Sequence, residues 1–356
     1  MTQLLLIINP GSTSTKVALF ENQTQLIKKT INHDPVTLKQ FKRMIDQYDF
    51  RKQTILDFLK ESNVNLNHLT AVVGRGGLLK PLASGTYLVN DQMKQDLQNA
   101  IRGEHASNLG ALIASAIAEP LHIPAYIVDP VVVDEMHDLA RYTGMKDIQR
   151  VSTFHALNQK AVAKRAALDM GKPYDSLNLI VAHLGGGISV GSHQKGKVID
   201  VNNALDGDGP MSPERSGSVP LGPLYRMCFS GQYTLDQIKR MNYGEGGMVA
   251  YLGTNDGIEI MKKIKSGDEL ASKIHEVMCY QISKEIGAAS TVLKGQVDAI
   301  ILTGGFAYNT LTTDLIKSRV DFIAPVLIYP GEDEMLALAE GALRVIHHEE
   351  EVKVYA

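Results

Sequence analysis

An apolar block, a short polar turn and a second apolar block occur twice in this chain, almost half its length apart. The first copy is Leu4–Ile8, the turn Asn9-Pro10-Gly11-Ser12-Thr13-Ser14-Thr15-Lys16, and Val17–Phe20. The second is Asn178–Ala182, the turn His183-Leu184-Gly185-Gly186-Gly187, and Ile188–Ser192. Short apolar runs bounded by turn residues read as strands, and each set reads as a β-hairpin. Each hairpin leads to a third strand, Leu26-Ile27 after Glu21–Gln23 and Val198-Ile199 after Gln194–Lys197. Gly11 and Gly185 therefore stand at equivalent points.

The echo continues downstream. Ala71–Val73 runs into Gly74-Arg75-Gly76-Gly77, as Ala299–Leu302 runs into Thr303-Gly304-Gly305. Pro124–Asp129 is matched by Pro325–Pro330. Helical patterns separate these strands: Met93, Leu97 and Ile101, then Ala106–Ala118, in the first half; Leu270, Ile274, Val277, Met278 and Ile282, continuing to about Lys294, in the second. A period this long is not that of a solenoid. It predicts a duplicated α/β fold with two phosphate-facing hairpins across a cleft.

The bulk properties allow this. A chain of 356 residues is long enough for two domains, each with its own core. We place the first at 1–150 plus about 335–356 and the second at 151–334, because the apolar pattern from Met335 to about Ile346 reads as a helix packing back onto the first domain. A net charge of −3 offers no basic field for nucleic acid or an acidic membrane. Cys228 and Cys279 are too few for a disulfide framework and show no metal-ligand spacing, so both read as reduced, buried and inert. Leu4–Ile8 is too short for a signal peptide or a membrane span. A cytoplasmic location is expected.

The first turn suggests anion binding. Gly11 permits close backbone approach, the hydroxyls of Ser12 and Ser14 can donate to phosphate oxygens, and Lys16 adds an ammonium. It is not a Walker A loop, which would end in Gly-Lys-Ser/Thr at a helix start. On its residues alone, a surface turn rich in Ser and Thr remains an equal reading.

Three segments in order, Ile8–Lys16, Val72–Gly77 and His183–Gly187, resemble the acetokinase family, on its butyrate kinase branch, within the acetate-and-sugar-kinase, Hsp70 and actin superfamily. The resemblance extends over essentially the whole chain. It implies duplicated ribonuclease H-like (actin-like ATPase) domains, mixed central sheets flanked by helices, and an active-site cleft between them. The implied activity is reversible, Mg²⁺-dependent transfer of the ATP γ-phosphoryl to a short-chain fatty acid, with ATP/ADP and Mg²⁺ as cofactors and a homodimer or higher homo-oligomer as the assembly. Departures from acetate kinase favour the butyrate branch: Gly186 stands where that relative has Asn, and Gly305-Phe306-Ala307-Tyr308 replaces a Gly-Ile-Gly-Glu-type turn. Arg75 follows two valines, whereas the acid-binding Arg of acetate kinase precedes its Val-Val segment.

The resemblance assigns roles by position. Arg215, in a segment of Pro, Gly and Ser, would stabilise the transition state. His155 would contact the transferring phosphoryl; Ser152 or Thr153 reads as the N-cap before its helix, a setting that disfavours a protonated imidazole. His105 matches another active-site His, and Arg75 is the candidate for the carboxylate. Asp129, which ends a strand before Pro130, would lie near the acid and help organise Mg²⁺ with Glu334 and Asn9. Ser12, Ser14, Lys16, His183, Gly185, Gly186 and Gly187 would face phosphates, with His183 equally able simply to hold its turn. Asp256, Gly304, Gly305 and Phe306 would wall the adenosine site, an ordinary strand-to-helix turn being the alternative. Acetate or propionate kinase, or a non-catalytic ATP-binding member of the superfamily, are the competing functions.

Overall fold

The computed structural model describes residues 2–206 and 208–356. The chain divides into two compact units, unit 1 being 1–133 with 333–356 and unit 2 being 134–332.

Unit 1 is built on a seven-stranded sheet made of β1 (Leu4–Pro10), β2 (Ser14–Glu21), β3 (Thr24–Asn32), β4 (Ala71–Arg75), β5 (Thr86–Leu88), β6 (Ala125–Val128) and β12 (Lys353–Val354), in the order β12-β5-β6-β4-β1-β2-β3. Unit 2 carries a five-stranded sheet of β7 (Asn178–Leu184), β8 (Ile188–Gln194), β9 (Lys197–Val201), β10 (Ala299–Gly304) and β11 (Val326–Pro330), in the order β11-β10-β7-β8-β9. The sheets share a plan. In each, a three-stranded antiparallel meander (β1-β2-β3 or β7-β8-β9) is continued by two strands parallel to its first (β4 and β6, or β10 and β11). The duplication read from the sequence is therefore a duplication of topology.

Residue pattern explains the strand positions. Leu5–Ile8 and Leu179–Ala182 are wholly buried, as expected of central strands covered on both faces. β3 is mostly exposed and carries Lys28 and Lys29, charges that protect a sheet edge from pairing with another chain. The segment Gly74-Arg75-Gly76-Gly77 meets a packing need. A Cβ on Gly74 would lie 2.2 Å from Gly110 O, and one on Gly110 would lie 2.2 Å from Arg75 O. The glycines thus let the helix Asn108–Ala118 press onto β4. The helix Glu334–Ile346 packs on β1, β4 and β6 within unit 1, and a Cβ on its Gly341 would strike Val128.

Residues 134–150 belong to unit 2, although the sequence reading carried the first domain to 150. Polar contacts tie them there: His137 N–H donates to Ile199 O, Arg150 bonds Asp200 and Val201 O, and Glu135 pairs with buried Lys160. Cys279 is buried as expected, and burial pushes its thiol up to about 12. Cys228 is exposed, contrary to expectation, because its helix Leu221–Cys228 buries no residue.

Candidate functional site

In each unit the candidate residues gather at the C-terminal ends of the parallel strands, where α/β sheets place their ligand groups. In unit 1 these ends are Pro10, Arg75 and Val128. Asn9 and Lys16 are register partners across β1 and β2. Asn9 Nδ2 donates to Glu334 Oε2 at 2.7 Å, and Arg75 donates a short bond to the other oxygen of the same carboxylate. Burial is the largest influence on Glu334 and opposes its ionisation. Arg75, Asn9 and Lys16 together outweigh it and hold the carboxyl below its usual value. Glu334 is thus an anion at neutral pH.

His105 stands beside this group. Ser107 N–H donates to His105 Nδ1 at 3.2 Å, so that nitrogen is an acceptor and the proton sits on Nε2. Burial, and secondarily Arg75, lower its pKa and favour the neutral ring. Asp129 is almost completely buried, in a left-handed conformation with φ 38°. Its Oδ1 accepts from Gly85 N–H at 2.7 Å while its own N–H donates to Gly85 O. Half of this carboxylate therefore holds the backbone. Among the described residues no group of three His, Cys, Asp or Glu forms a metal cage. The ionised Glu334 and the Asn9 amide still fit Mg²⁺, which retains several waters and needs few protein oxygens.

The first turn is held by a residue that the sequence reading missed. Arg51, wholly buried on the helix Tyr48–Glu61, donates to Gly11 O (2.8 Å), Ser12 O (3.0 Å), Ser14 O (3.2 Å) and Thr15 Oγ1 (3.2 Å). It has no carboxylate partner among the described residues, and burial lowers its pKa to about 10. His33 N–H takes Thr13 O. With these carbonyls engaged, the turn offers hydroxyls and the N–H groups of Ser12 and Thr13, which have no acceptor among the described residues.

In unit 2 the turn Gly185–Gly187 lies against the loop of Arg215. Ser212 Oγ and Glu214 N–H both donate to Gly186 O. A Cβ on Gly187 would lie 2.8 Å from the Arg215 guanidinium carbon. Burial lowers the Arg215 pKa, with Glu214 and Tyr243 opposing, and its Nε has no hydrogen-bond partner among the described residues. His155 and His183 stack with centroids 3.8 Å apart and planes 10° from parallel. His183 belongs to β7 and is buried; its Nδ1 bonds Asn158 Oδ1. Its Nε2 lies 3.0 Å from Glu332 Oε1 but outside hydrogen-bond geometry. The N-cap position of the helix Ala156–Asp169 is His155 itself, not the expected Ser152 or Thr153.

A cavity of about 580 Å³ opens beside this cluster, lined among others by Gly186, Asp256, Gly257, Phe306, Tyr308 and Glu332. Gly185 and Gly305 also line it. Phe306 lies against Gly257, where a Cβ would be 3.1 Å from the ring. Gly304 has φ 90° and no room for a side chain against Leu184 O. Asp256 caps the helix Gly257–Lys265, its carboxylate accepting from Ile258 N–H and Glu259 N–H. The size suits a nucleotide-sized ligand.

The acetokinase family model matches residues 137–332. Butyrate kinase 2 of Clostridium acetobutylicum is 57% identical over 351 residues, covering 99% of either chain. The chain belongs to the acetokinase family. Two solved structures show the same fold: the acetate kinase of Porphyromonas gingivalis (TM-score 0.81, 21% identity, 97% of this chain and 100% of that one) and a propionate kinase of Francisella tularensis (TM-score 0.73, 20% identity, 95% and 98%). The actin-like duplicated architecture is that of these acetokinase relatives.

Within this acetokinase chain the expected residues fall into two groups. Asn9, Lys16, Arg75, His105 and Glu334 gather in unit 1; His155, His183, Gly185–Gly187, Arg215, Gly304, Phe306 and Asp256 line one region of unit 2. Arg75, the candidate for the substrate carboxylate, also pairs with Glu334. Glu332, Lys262 and Tyr308 line the cavity and were not singled out. Arg51 could have been noticed only as a lone basic residue among the apolar positions of its helix.

Proposed function

We propose that this chain is a butyrate kinase, transferring the γ-phosphoryl of ATP reversibly to butyrate and related short or branched fatty acids. The observation that carries this reading is the 57% identity to Butyrate kinase 2 over nearly the full length of both chains. The local chemistry supports it. A fatty acid with a pKa of about 4–5 is already ionised at pH 7, so its attack requires no general base. A carboxylate oxygen bonds to the γ-phosphorus, the bond to the bridging oxygen breaks, and ADP leaves with the electron pair. The difficulty is bringing an anion to a polyanion, and the residues at hand are cations and hydrogen-bond donors.

In this proposal the nucleotide occupies the unit 2 cavity, with Phe306 and Gly304-Gly305 against adenosine and Gly185–Gly187 near the phosphates. Arg215 and His155 donate to the transferring phosphoryl, and His183 supports His155 by stacking. Ser12, Ser14 and Lys16 position the phosphoryl group. Arg75 and the Nε2–H of His105 attract the acid, and Asp129 shapes the nearby backbone. Glu334 and Asn9 would hold Mg²⁺ through water; the ion neutralises phosphate charge when bound.

Trapping the acyl phosphate with hydroxylamine across acetate, propionate, butyrate, isobutyrate and isovalerate tests the proposal. Butyrate should give hydroxamate with ATP and Mg²⁺; no product from any acid refutes kinase activity, and a strong acetate preference refutes the branch. Selectivity should be graded, because one buried CH₂ is worth about 0.8 kcal/mol.

Self-association belongs to the same proposal. The helices Leu221–Cys228 and Leu235–Asn242 bury none of their residues and expose Leu221, Tyr225, Leu235 and Met241, which supports a homodimer or larger assembly. Sedimentation as a monomer would refute it. No described helix is long and apolar enough to cross a membrane. Both cysteines are free, which supports a cytoplasmic location.

A further inference from the structure

The buried polar groups behind His155 form a chain whose donors and acceptors can be assigned one by one. Gln159 is wholly buried on the helix Ala156–Asp169. Its Nε2 donates to Ser189 O at 3.0 Å and to Ser189 Oγ at 2.8 Å. A carbonyl oxygen only accepts, so the amide nitrogen must face Ser189 and Oε1 must face the other way. That oxygen lies 3.0 Å from His193 Nε2, which therefore carries the proton. His193 is completely buried; burial first, and Lys160 second, hold its pKa well below the usual value and favour the neutral ring. Its Nδ1 is then the acceptor for Tyr174 O–H at 2.7 Å.

The other end of the chain is equally determined. Ser189 Oγ already accepts a hydrogen from Gln159. Ser189 is wholly buried and has no other acceptor among the described residues than His155 Nδ1, at 2.9 Å. The hydroxyl therefore donates to that nitrogen, and an imidazole that accepts at Nδ1 carries its proton on Nε2. The sequence makes room for this chain at one position. Gly191 lies in the middle of β8, and a Cβ there would stand 2.4 Å from Gln159 Oε1.

We infer that Gln159 and Ser189 are positioning residues that lock His155 in its Nε2–H tautomer, so that it meets the transferring phosphoryl as a hydrogen-bond donor. The functional half of this inference rests on the role proposed above for His155. In the opposite tautomer the ring would present a lone pair on Nε2, repelling a phosphoryl oxygen at the point where negative charge must be stabilised. Stacking on His183 fixes the plane of the ring, and the Ser189 hydroxyl fixes which nitrogen holds the proton.

The test is ¹⁵N-histidine NMR of the full-length protein, read together with steady-state kinetics. Wild type should show His155 protonated on Nε2 and bare on Nδ1. Ser189→Ala should give mixed tautomers and lower kcat about 10-fold, short of the roughly 10²–10³ expected for outright loss of a transition-state donor. The KM for ATP should change little. Gln159→Glu, which offers Ser189 an acceptor in place of a donor, should do the same, as should Gly191→Ala, which displaces the Gln159 oxygen. A wild-type His155 protonated on Nδ1 would overturn the inference, as would unchanged tautomer and kcat in Gln159→Glu. Full activity of His155→Ala would overturn its role in transfer, while the tautomer measurement would still report on the chain.

Discussion

The two hairpin turns share a strand plan and differ in what stands behind them. At the first, four successive carbonyls are taken: those of Gly11, Ser12 and Ser14 by Arg51, and that of Thr13 by His33 N–H. Removing the acceptors leaves an array of donors. At the second, no cation among the described residues bonds the turn's carbonyls; Gly186 O accepts from Ser212 Oγ and Glu214 N–H instead. Gly185–Gly187 supply space, and the side chains of His183, Glu214 and Arg215 crowd into it. One turn presents its own groups, whereas the other admits groups from elsewhere in its unit. Duplication preserved the order of strands, and the chemistry diverged in the residues that pack on the turns.

The largest effect should come from what the second turn admits. Arg215→Ala should lower kcat by about 10³-fold or more, the scale of an arginine that stabilises phosphoryl transfer, while equilibrium binding of ATP persists. Full activity would show that the second turn serves only to bind nucleotide. The corresponding break at the first turn is Arg51→Met. It strips the donor from three carbonyls at once, and unsatisfied buried groups cost about 1–3 kcal/mol each, partly relieved by water at an exposed turn. A loss of about 3 kcal/mol in denaturant unfolding is expected. A neutral result would show that the carbonyl clamp does not stiffen the turn.

How much of this contrast could be read beforehand follows from its physics. Strand order was legible because central strands announce themselves as wholly apolar runs, and Leu5–Ile8 and Leu179–Ala182 do so twice. The helix Glu334–Ile346 was legible from its apolar period, and the resemblance groups Asn9 with Glu334, which a hydrogen bond joins. Arg51 was not legible. A charged residue in an amphipathic helix normally faces water, and only the fold shows this one facing four oxygens of a turn nearly forty positions earlier. Gln159 and Gly191 were hidden for the same reason, since a glycine within a strand signals a close approach without naming the neighbour. The segment 134–150 was assigned to the wrong half because it is tied by polar bonds that leave no periodicity.

A further asymmetry is acid sensitivity. His33 sits behind the first turn, 2.8 Å from Thr15 Oγ1, and burial followed by Arg51 lowers its pKa from 6.5 to about 4. Between those values the unfolded chain takes up a proton that the folded one refuses. Its contribution to stability is therefore complete above about pH 6.5 and lost as the pH falls toward 4. At about 1.4 kcal/mol per unit, the loss across that interval is on the order of 3 kcal/mol. His33→Asn should flatten this part of the stability curve. His275 of unit 2, also lowered to about 4 by burial, should leave a residual slope that His275→Asn reduces, with buried His193 and His105 contributing the rest. A curve unchanged by His33→Asn would remove the first turn from the acid response.

The finest test of the contrast uses the same substitution at one glycine of each turn. A Cβ on Gly11 would meet Ser14 O at 3.5 Å, an ordinary contact, and Gly11 is not in a left-handed conformation. A Cβ on Gly187 would meet the Arg215 guanidinium at 2.8 Å, and because that group ends a flexible side chain it would move rather than unfold the loop. Gly11→Ala should therefore leave kcat within about twofold, and Gly187→Ala should lower it about 10-fold, since a displacement near 1 Å of a charge-stabilising group is costly in phosphoryl transfer. Thermal unfolding of both variants should stay close to wild type. Equal kinetic losses at the two glycines would mean that both turns contribute backbone alone, and the distinction between a donor array and an admitting gap would fall.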